Sequence, residues 1–175
     1  MMTQLPQCRI LVITLGLVET WFDCKTGLYL NGLPPRFTLN REPDRFELHV
    51  LEYTDIMASL DRIHALLDRY GHPDFKILLS VSPVPFKVTL TGQDAVAANT
   101  YGKSVQRAAA ESFAARHANV DYVPSYEIVT QSPRDLAYMA DNIHVTAPAV
   151  EHIMAGVLNA YQPAHIDGPL GCPHH

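Results

Sequence analysis

The sequence predicts an α/β fold of three layers, in which helices cover both faces of a parallel sheet. Three continuous apolar and β-branched runs indicate buried strands, Arg9–Leu15, Lys76–Val81 and Val120–Val123, and a Gly or Pro closely follows each one. Segments with apolar residues at helical spacing lie between and after them. Strands that alternate with helices form parallel sheets with right-handed crossovers.

Three segments are predicted to be helices. Thr54–Tyr70 begins at a residue suited to an N-cap and ends before Gly71. Asp94–Arg116 is rich in Ala, and Pro148–Tyr161 has its proline in the first turn, where proline is tolerated. Their predicted buried stripes are Ile56, Leu60, Ile63, Leu67 and Tyr70; Tyr101, Val105, Ala109 and Phe113; and Val150, Ile153, Met154, Val157 and Tyr161.

The segment between the first strand and the first helix is predicted to contain a short hairpin. A turn at Lys25-Thr26-Gly27 would join Trp21-Phe22 to Leu28-Tyr29. The second half of this segment carries Pro34, Pro35 and Pro43 and is interpreted as a loop.

Composition limits the class of protein. A chain of 175 residues with 47% hydrophobic residues predicts one globular domain, assigned to 1–161, with a flexible Pro- and Gly-rich tail at 162–175. The net charge of −5 and the lack of a Lys/Arg run argue against a nucleic-acid partner. The longest apolar run, Ile10–Val18, is too short to span a bilayer. Three cysteines without C-x-x-C spacing and an N-terminus without signal-peptide features predict free thiols and a cytoplasmic protein.

Polar residues follow the predicted strands at the edge where open parallel sheets bind ligands. Asp141 and His144 stand three residues apart, just before the last helix, and a short turn can aim both into one cleft. There His144 would act as a general base that Asp141 orients. The other candidate residues on this edge are Gly16, Glu19, Ser82, Asn99 and Tyr126.

Each of these candidates also has a structural interpretation. Gly16 either turns the chain or brings a backbone N–H close to a developing oxyanion. Glu19 is more readily explained as a solvated loop acid, and Tyr126 as a packed residue. A solvated helix face explains Asn99, Lys103 and Arg107 as well as a position facing the cleft does. Ser82 precedes a proline, which favours extended backbone rather than the strained turn that presents a nucleophilic serine. A metal site that uses His144 with His152 is a weaker alternative, so neither a metal nor a cofactor is predicted.

Several blocks, taken together and in order, resemble the GSCFA domain family. They are Thr14–Trp21, Val81–Pro85, Asn99–Ala109, Pro124–Glu127 and Asp141–Val145. The resemblance implies a branch of the SGNH (GDSL-like) hydrolases with a flavodoxin-like three-layer fold. It also implies a Ser-dependent ester hydrolase or O-acyltransferase of bacterial polysaccharide metabolism that acts on acylated carbohydrate. His144 would be the general base, Asp141 its partner, and Gly16 would lie near the oxyanion hole.

The chain departs from this family at its N-terminus. The Gly-Ser-Cys-Phe-Ala motif, which carries the nucleophile, should precede Thr14, and Met1–Cys8 does not resemble it. The fold is therefore expected to be N-terminally incomplete, with a free strand edge, and the chain to be inactive as a Ser enzyme. The alternative is a noncatalytic carbohydrate-binding or scaffold domain. The expected substrate is a small-molecule or carbohydrate ester. The expected protein partner is a second copy of the chain, in a homo-oligomer, or a missing N-terminal segment.

Overall fold

The computed structural model describes residues 5–161, so the predicted flexible tail at 162–175 lies outside the described residues. In chain order the elements are β1 (Ile10–Leu15), β2 (Glu19–Asp23), β3 (Leu28–Tyr29), α1 (Arg36–Arg41), β4 (Phe46–Val50), α2 (Tyr53–Tyr70), β5 (Lys76–Val81), α3 (Ala95–Arg116), β6 (Val120–Tyr122), α4 (Ser125–Gln131), α5 (Arg134–Ala137) and α6 (Ala147–Tyr161). Within this part of the chain, no helix combines the length and apolar character needed to cross a membrane.

The main sheet is parallel, with strand order β1-β5-β6. Helices lie on both of its faces, so the predicted three-layer α/β/α architecture is confirmed. Lys76–Val81 forms a strand with the predicted bounds, whereas Arg9 and Val123 lie one residue outside the observed strands. Leu15 pairs with Val81, which places the carboxyl ends of β1 and β5 side by side.

One face of the main sheet packs against α2 and α3. Alternate residues of the strands point to this face because side chains in a strand alternate between its two sides. Ile77, Leu79 and Val81 are 0% exposed, and so is Phe113 of α3. The remaining members of this core include Ile56, Met57, Leu60, Leu67, Phe75, Ala98, Ala109, Ala110 and Val120.

β1 is covered on one face only, which corrects the prediction that both of its faces are buried. Ile10 is 48% exposed and Val12 is 65% exposed, while Leu11, Ile13 and Leu15 pack against the core. Within the described chain β1 pairs only with β5, so it is an edge strand. A run of apolar and β-branched residues indicates that a strand is buried, but not which neighbours cover it.

The second helical layer, α4 to α6, packs loosely. Its small core contains Val129, Ala137 and Tyr138, with Val145 and Ile153 packed against it. A cavity of about 550 Å³ lies between the sheet and α6, lined by Lys76, Asp121, Gly156 and Tyr161 among others. The predicted stripe of α6 is therefore only half-buried at Ile153 and Val157, and Val150, Met154 and Tyr161 are exposed.

A second, antiparallel sheet has the order β3-β2-β4. The predicted hairpin of β2 and β3 is present, but the interpretation of the following Pro-containing segment as a loop is wrong. That segment contains α1 and β4, and β4 pairs with β2 from Glu19 opposite Val50 to Asp23 opposite Phe46.

The helix ends and buried stripes differ in detail from prediction. α2 begins at Tyr53, because its N-cap is Glu52, which forms a reciprocal capping box with Asp55, rather than the predicted Thr54. The Asp94 side chain accepts hydrogen bonds from the backbone N–H groups at the start of α3. Tyr70 and Tyr101 are exposed. The buried face of α3 consists of Ala98, Gly102, Lys103, Gln106, Ala109, Ala110 and Phe113.

Candidate active site

Asp141 and His144 form a hydrogen-bonded pair within one turn. The Asp141 Oδ1 accepts the backbone N–H groups of Ile143 and His144, each at 3.0 Å. Its Oδ2 lies 2.5 Å from His144 Nδ1. Asn142 between them has φ of 56°, a left-handed conformation that Asn tolerates better than most residues. The Asp-x-x-His spacing therefore produces the close pair that the sequence predicts.

This contact defines the state of the His144 ring. The hydrogen bonds from His144 and from the two backbone N–H groups hold the pKa of Asp141 well below its usual range, so this carboxylate stays ionised. An ionised carboxylate only accepts hydrogen bonds, so Nδ1 of His144 is the donor. In the neutral ring, Nε2 then carries the lone pair. The His144 side chain is 69% exposed, which leaves Nε2 accessible.

Tyr138 connects this turn to the corner that follows β5. Tyr138 and Val145 form an antiparallel bridge that closes the Asp141–His144 loop at its base. The Tyr138 hydroxyl donates to the Pro83 carbonyl at 3.0 Å, next to Ser82. Tyr138 is not among the residues predicted for the site. The sequence signal for it is only that an aromatic residue lies close before the Asp-x-x-His motif.

Ser82 lies at the carboxyl end of β5, and its polar atoms form hydrogen bonds with neighbouring backbone groups. Its backbone N–H donates to the Leu15 carbonyl at 2.8 Å, and its hydroxyl oxygen accepts the Val84 N–H at 3.3 Å. Among the described residues, no hydrogen bond joins Ser82 to His144. That Ser82 is not the nucleophile stays a prediction.

Gly16 is held by a buried lysine. The Lys103 ammonium donates to the Gly16 carbonyl at 3.0 Å, and Lys103 is 1% exposed. Burial lowers the pKa of Lys103 to about 8. A solvated helix face had explained Lys103 equally well at the level of sequence, and the structure excludes that explanation. The role predicted for the Gly16 backbone N–H stays a prediction.

Asn99 lies one helical turn before Lys103. Its side-chain carbonyl accepts the Phe86 backbone N–H at 3.0 Å, which fixes the orientation of the amide. The Asn99 amino group donates to no acceptor among residues 5–161 and remains available to a ligand. The carbonyl oxygen of the Asn99 side chain is therefore held in place, while its amino group has no hydrogen-bond acceptor among the described residues.

Glu19 ties two loops together. Its Oε1 accepts the Thr89 hydroxyl at 2.5 Å, and its Oε2 accepts the Leu90 N–H at 2.8 Å. Glu19 also lines a cavity of about 340 Å³ beside Tyr101 and Thr91. It is therefore a partly buried anchor for the loop after Lys87 rather than a solvated acid.

Tyr126 is half-buried and packs against the main core, as the structural interpretation expected. Its neighbour Glu127 accepts hydrogen bonds from the Tyr122 hydroxyl and the Arg107 guanidinium. The Arg107 guanidinium also lies 4.1 Å from the centre of the Tyr122 ring. This network links α3 to α4. The polar atoms of these residues therefore bond to each other within the protein.

The hydrogen bonds at the rim of the main sheet therefore form separate groups. Lys103 holds the corner after β1, whereas Asn99 binds the Phe86 N–H in the loop after β5, and Tyr138 joins the Asp141–His144 loop to the same loop after β5. In the described chain, no hydrogen bond joins His144 to Gly16, Glu19, Asn99 or Tyr126. Over the same residues, no group of three or more His, Cys, Asp or Glu side chains is placed to hold a metal ion.

Comparison with family models gives a match to the GSCFA family over residues 1–156. The chain belongs to the GSCFA family. The match extends from the segment before β1 into α6 and includes the rim residues described above. No curated protein matches the chain.

Proposed function

We propose that this GSCFA domain supplies the acid–base part of an SGNH-like, Ser-dependent ester hydrolase or O-acyltransferase, and that its substrate is an acylated carbohydrate of bacterial polysaccharide metabolism. His144 is the general base and Asp141 orients it. In such a reaction the base removes a proton from the attacking hydroxyl and later returns it to the leaving oxygen.

The contact between Asp141 and His144 is the observation that carries the proposal. An ionised carboxylate on Nδ1 sets the tautomer, directs Nε2 outward and stabilises the imidazolium that forms during proton transfer. The Tyr138–Val145 bridge and the hydrogen bond from Tyr138 to Pro83 tie the loop of this pair to the corner after β5, and ligands of open α/β sheets bind beyond the carboxyl ends of the strands.

The nucleophile, in this proposal, comes from a strand that adds to the free edge of β1. β1 pairs only with β5 in the described chain, so its other edge has unpaired backbone groups. A parallel strand added there would end on the same rim as Gly16. The Ile10 and Val12 side chains, exposed on one face of β1, would be covered by the helix that follows such a strand.

A second candidate function is a noncatalytic carbohydrate-binding or scaffold domain. The observation in its favour is that His144 Nε2 forms no hydrogen bond with a serine, threonine or cysteine side chain within residues 5–161, and that His144 is well exposed. A general base needs its proton donor within hydrogen-bond reach.

We also propose a cytoplasmic location for the protein. Cys8 and Cys24 are free thiols, and free thiols are typical of a reducing compartment.

Release of acetate from an acetylated monosaccharide tests the proposal. An unactivated ester is needed, because an exposed imidazole reacts slowly with nitrophenyl esters without any enzyme site. The 175-residue chain is expected to show no turnover that depends on His144. A longer form that carries a Gly-Ser strand ahead of β1, where the gene encodes one, is expected to be active.

In the active form, His144→Ala should lower kcat by about 10⁴-fold and Asp141→Asn by a similar factor. His152→Ala is the matched control, since it removes an exposed imidazole from α6 and should leave kcat unchanged. Turnover by the 175-residue chain that depends on His144 would reveal a nucleophile within it. Sugar binding without turnover in either form would support the noncatalytic candidate.

A further inference from the structure

The cavity lined jointly by α6, β5 and β6, here called the α6 cavity, has the size and the lining of a ligand site. Its volume is about 550 Å³, within the range of about 300–1,000 Å³ that small-molecule sites occupy. Such sites are mostly apolar and hold a few polar groups that orient the ligand. The apolar residues that line the α6 cavity are Val123, Pro124, Ile128, Ile153, Val157 and Ala160.

Small residues on the sheet-facing side of α6 create this space. Ile153, Gly156, Val157 and Ala160 line the cavity, and their spacing of three and four residues places them on one face of the helix. A Cβ on Gly156 would meet no atom within 4 Å. Gly156 and Ala160 are also exposed to solvent. A ligand can therefore enter the α6 cavity without unfolding of the helix.

Three connected polar side chains line one end of the α6 cavity. The Lys76 ammonium donates to Asp121 Oδ2 at 2.9 Å, and the Tyr161 hydroxyl donates to the same oxygen. The ammonium also lies 5.7 Å from the centre of the Tyr161 ring. Lys76 is the first residue of β5, so this cluster is at the opposite end of the strand from Ser82. It is separate from the residues of the candidate active site.

The charges of this cluster cancel, but its hydrogen-bonding capacity is not used up. Hydrogen bonds from Tyr161 and Lys76 hold the pKa of the Asp121 carboxyl below its usual range, so it is ionised and balances the ammonium. Among residues 5–161, Asp121 Oδ1 accepts no hydrogen bond and the ammonium of Lys76 donates only one. An ammonium has three N–H groups. A free acceptor and a free donor are therefore neighbours at the end of an apolar space.

A hydroxyl is the polar group that matches this pair of charges. It both donates and accepts, so it can bind Asp121 Oδ1 and an N–H of Lys76 together. A carboxylate on the ligand would be repelled by Asp121, and an ammonium would be repelled by Lys76. An uncharged ligand leaves the existing ion pair intact.

We propose that the α6 cavity binds a small apolar molecule that carries one hydroxyl group. Its apolar part contacts Ile128, Ile153 and Val157, and its hydroxyl lies between Lys76 and Asp121. The apolar part gains free energy because it leaves water, and the hydroxyl keeps hydrogen-bond partners. This site does not depend on the proposed ester chemistry.

Titration of the 175-residue chain with 1-octanol, octanoate and octylammonium at about pH 7 tests the proposal. The three probes have similar apolar chains and differ in the charge of the end group. The methyl resonances of Ile128 and Ile153 report binding in the cavity, and those of Ile56, in the core on the other face of the sheet, serve as the reference. 1-Octanol should shift Ile128 and Ile153 in a saturable manner, with an affinity about 10-fold higher than that of either charged probe.

Substitution of one charge at a time should change which probe binds best. Asp121→Asn leaves the Lys76 ammonium without its carboxylate, so octanoate should bind more tightly than 1-octanol. Lys76→Met leaves the Asp121 carboxylate alone, so octylammonium should bind best. Both side chains are partly exposed, and exposed ion pairs contribute little to stability, so the Tm should change little in either variant.

A larger side chain on the sheet-facing side of α6 should block the cavity. Gly156→Leu places its side chain in the open space and should weaken 1-octanol binding by at least about 10-fold, with a Tm that is unchanged or higher. Ala155→Leu is the matched control, because it adds leucine at the neighbouring exposed position, which does not line the cavity. It should leave 1-octanol binding unchanged.

The proposal is overturned if 1-octanol causes no saturable shift at Ile128 and Ile153, or if the three probes bind equally well, because polar recognition is then absent. It is also overturned if Gly156→Leu binds 1-octanol as the wild type does. If Gly156→Leu does not fold, the charge variants decide: an order of probe affinities that neither Asp121→Asn nor Lys76→Met changes would refute the position of the hydroxyl.

Discussion

The two helical layers of this protein differ in how closely they pack on the main sheet. α2 and α3 form a continuous core, in which Phe113, Ala109 and Ala110 are 0% exposed. α6 has no buried residue, and a cavity of about 550 Å³ is lined jointly by residues of α6, β5 and β6. The close layer resembles the interior of an ordinary domain, and the open layer resembles a surface that is only partly covered.

This difference coincides with a division of the candidate site. The close layer contributes α3, from which Lys103 binds the Gly16 carbonyl and Asn99 binds the Phe86 N–H. The open layer carries the Asp141–His144 loop. The close layer is rigidly packed, and the open layer is less constrained. The two layers should therefore respond differently to the same substitution.

Truncation of a core side chain should show the largest contrast. Phe113→Ala in the close layer should lower the free energy of unfolding by about 3–5 kcal/mol, because the ring is fully buried. Ile153→Ala in the open layer should lower it by about 1 kcal/mol, because that side chain is only half-buried. Urea unfolding measures both, and equal losses would contradict the contrast.

A methyl group added to α3 should destabilise the protein. A Cβ on Gly102 would lie 2.9 Å from the tip of the Phe86 ring and 3.0 Å from a Val18 methyl carbon, so buried neighbours must move. Overpacking should exceed the gain in helix propensity, and Gly102→Ala should lower the free energy of unfolding by about 1–2 kcal/mol. A stabilised variant would show that this layer has room to relax.

The same substitution in α6 should have the opposite sign. A Cβ on Gly156 meets no atom within 4 Å, and Gly156 lines the cavity under α6. Alanine is favoured over glycine inside a helix, so Gly156→Ala should raise the free energy of unfolding by about 0.5–1 kcal/mol. Urea unfolding under the conditions used for Gly102→Ala makes the comparison direct, and destabilisation here would refute the open packing of α6.

The smallest expected effect is a pH dependence within the close layer. Burial, with a smaller contribution from His64 stacked 4.0 Å away, lowers the pKa of His117 below its ordinary 6.5, although Asp61 opposes the shift. The unfolded chain then binds this proton more tightly, so the free energy of unfolding should fall as the pH falls through about 6.5.

His117→Phe keeps an aromatic ring against Phe113 and removes the titrating group. Its Tm should therefore fall less than that of the wild type between about pH 7 and about pH 5.5, a window above the range in which carboxylates titrate. An identical decline in both proteins would assign the pH dependence to other groups.

The features predictable from sequence are those that local pattern decides. The strand at Lys76–Val81, the parallel order and the Asp141–His144 turn follow from hydrophobic runs, Pro and Gly stops and a short polar spacing. β4 was not predicted, because three prolines precede it and its Phe46, Leu48 and Val50 alternation is short.

The remaining features depend on which residues are buried, and the local sequence pattern does not reveal burial. The stripe of α3 drawn through Tyr101 differs from the buried face because that face contains small residues and Lys103 instead of large apolar side chains. A lysine with Ala98 and Gly102 on the same face signals close approach of another chain segment, but only the fold identifies this segment as Gly16.

The proposed acid–base role depends most on the state of the His144 ring. The nitrogen chemical shifts of the neutral imidazole report directly which nitrogen carries the proton. We expect the proton on Nδ1 in the wild-type chain, where Asp141 accepts the hydrogen bond, and a redistribution toward Nε2 in Asp141→Asn. A proton on Nε2 in the wild type, or a spectrum that Asp141→Asn leaves unchanged, would contradict a base oriented by Asp141.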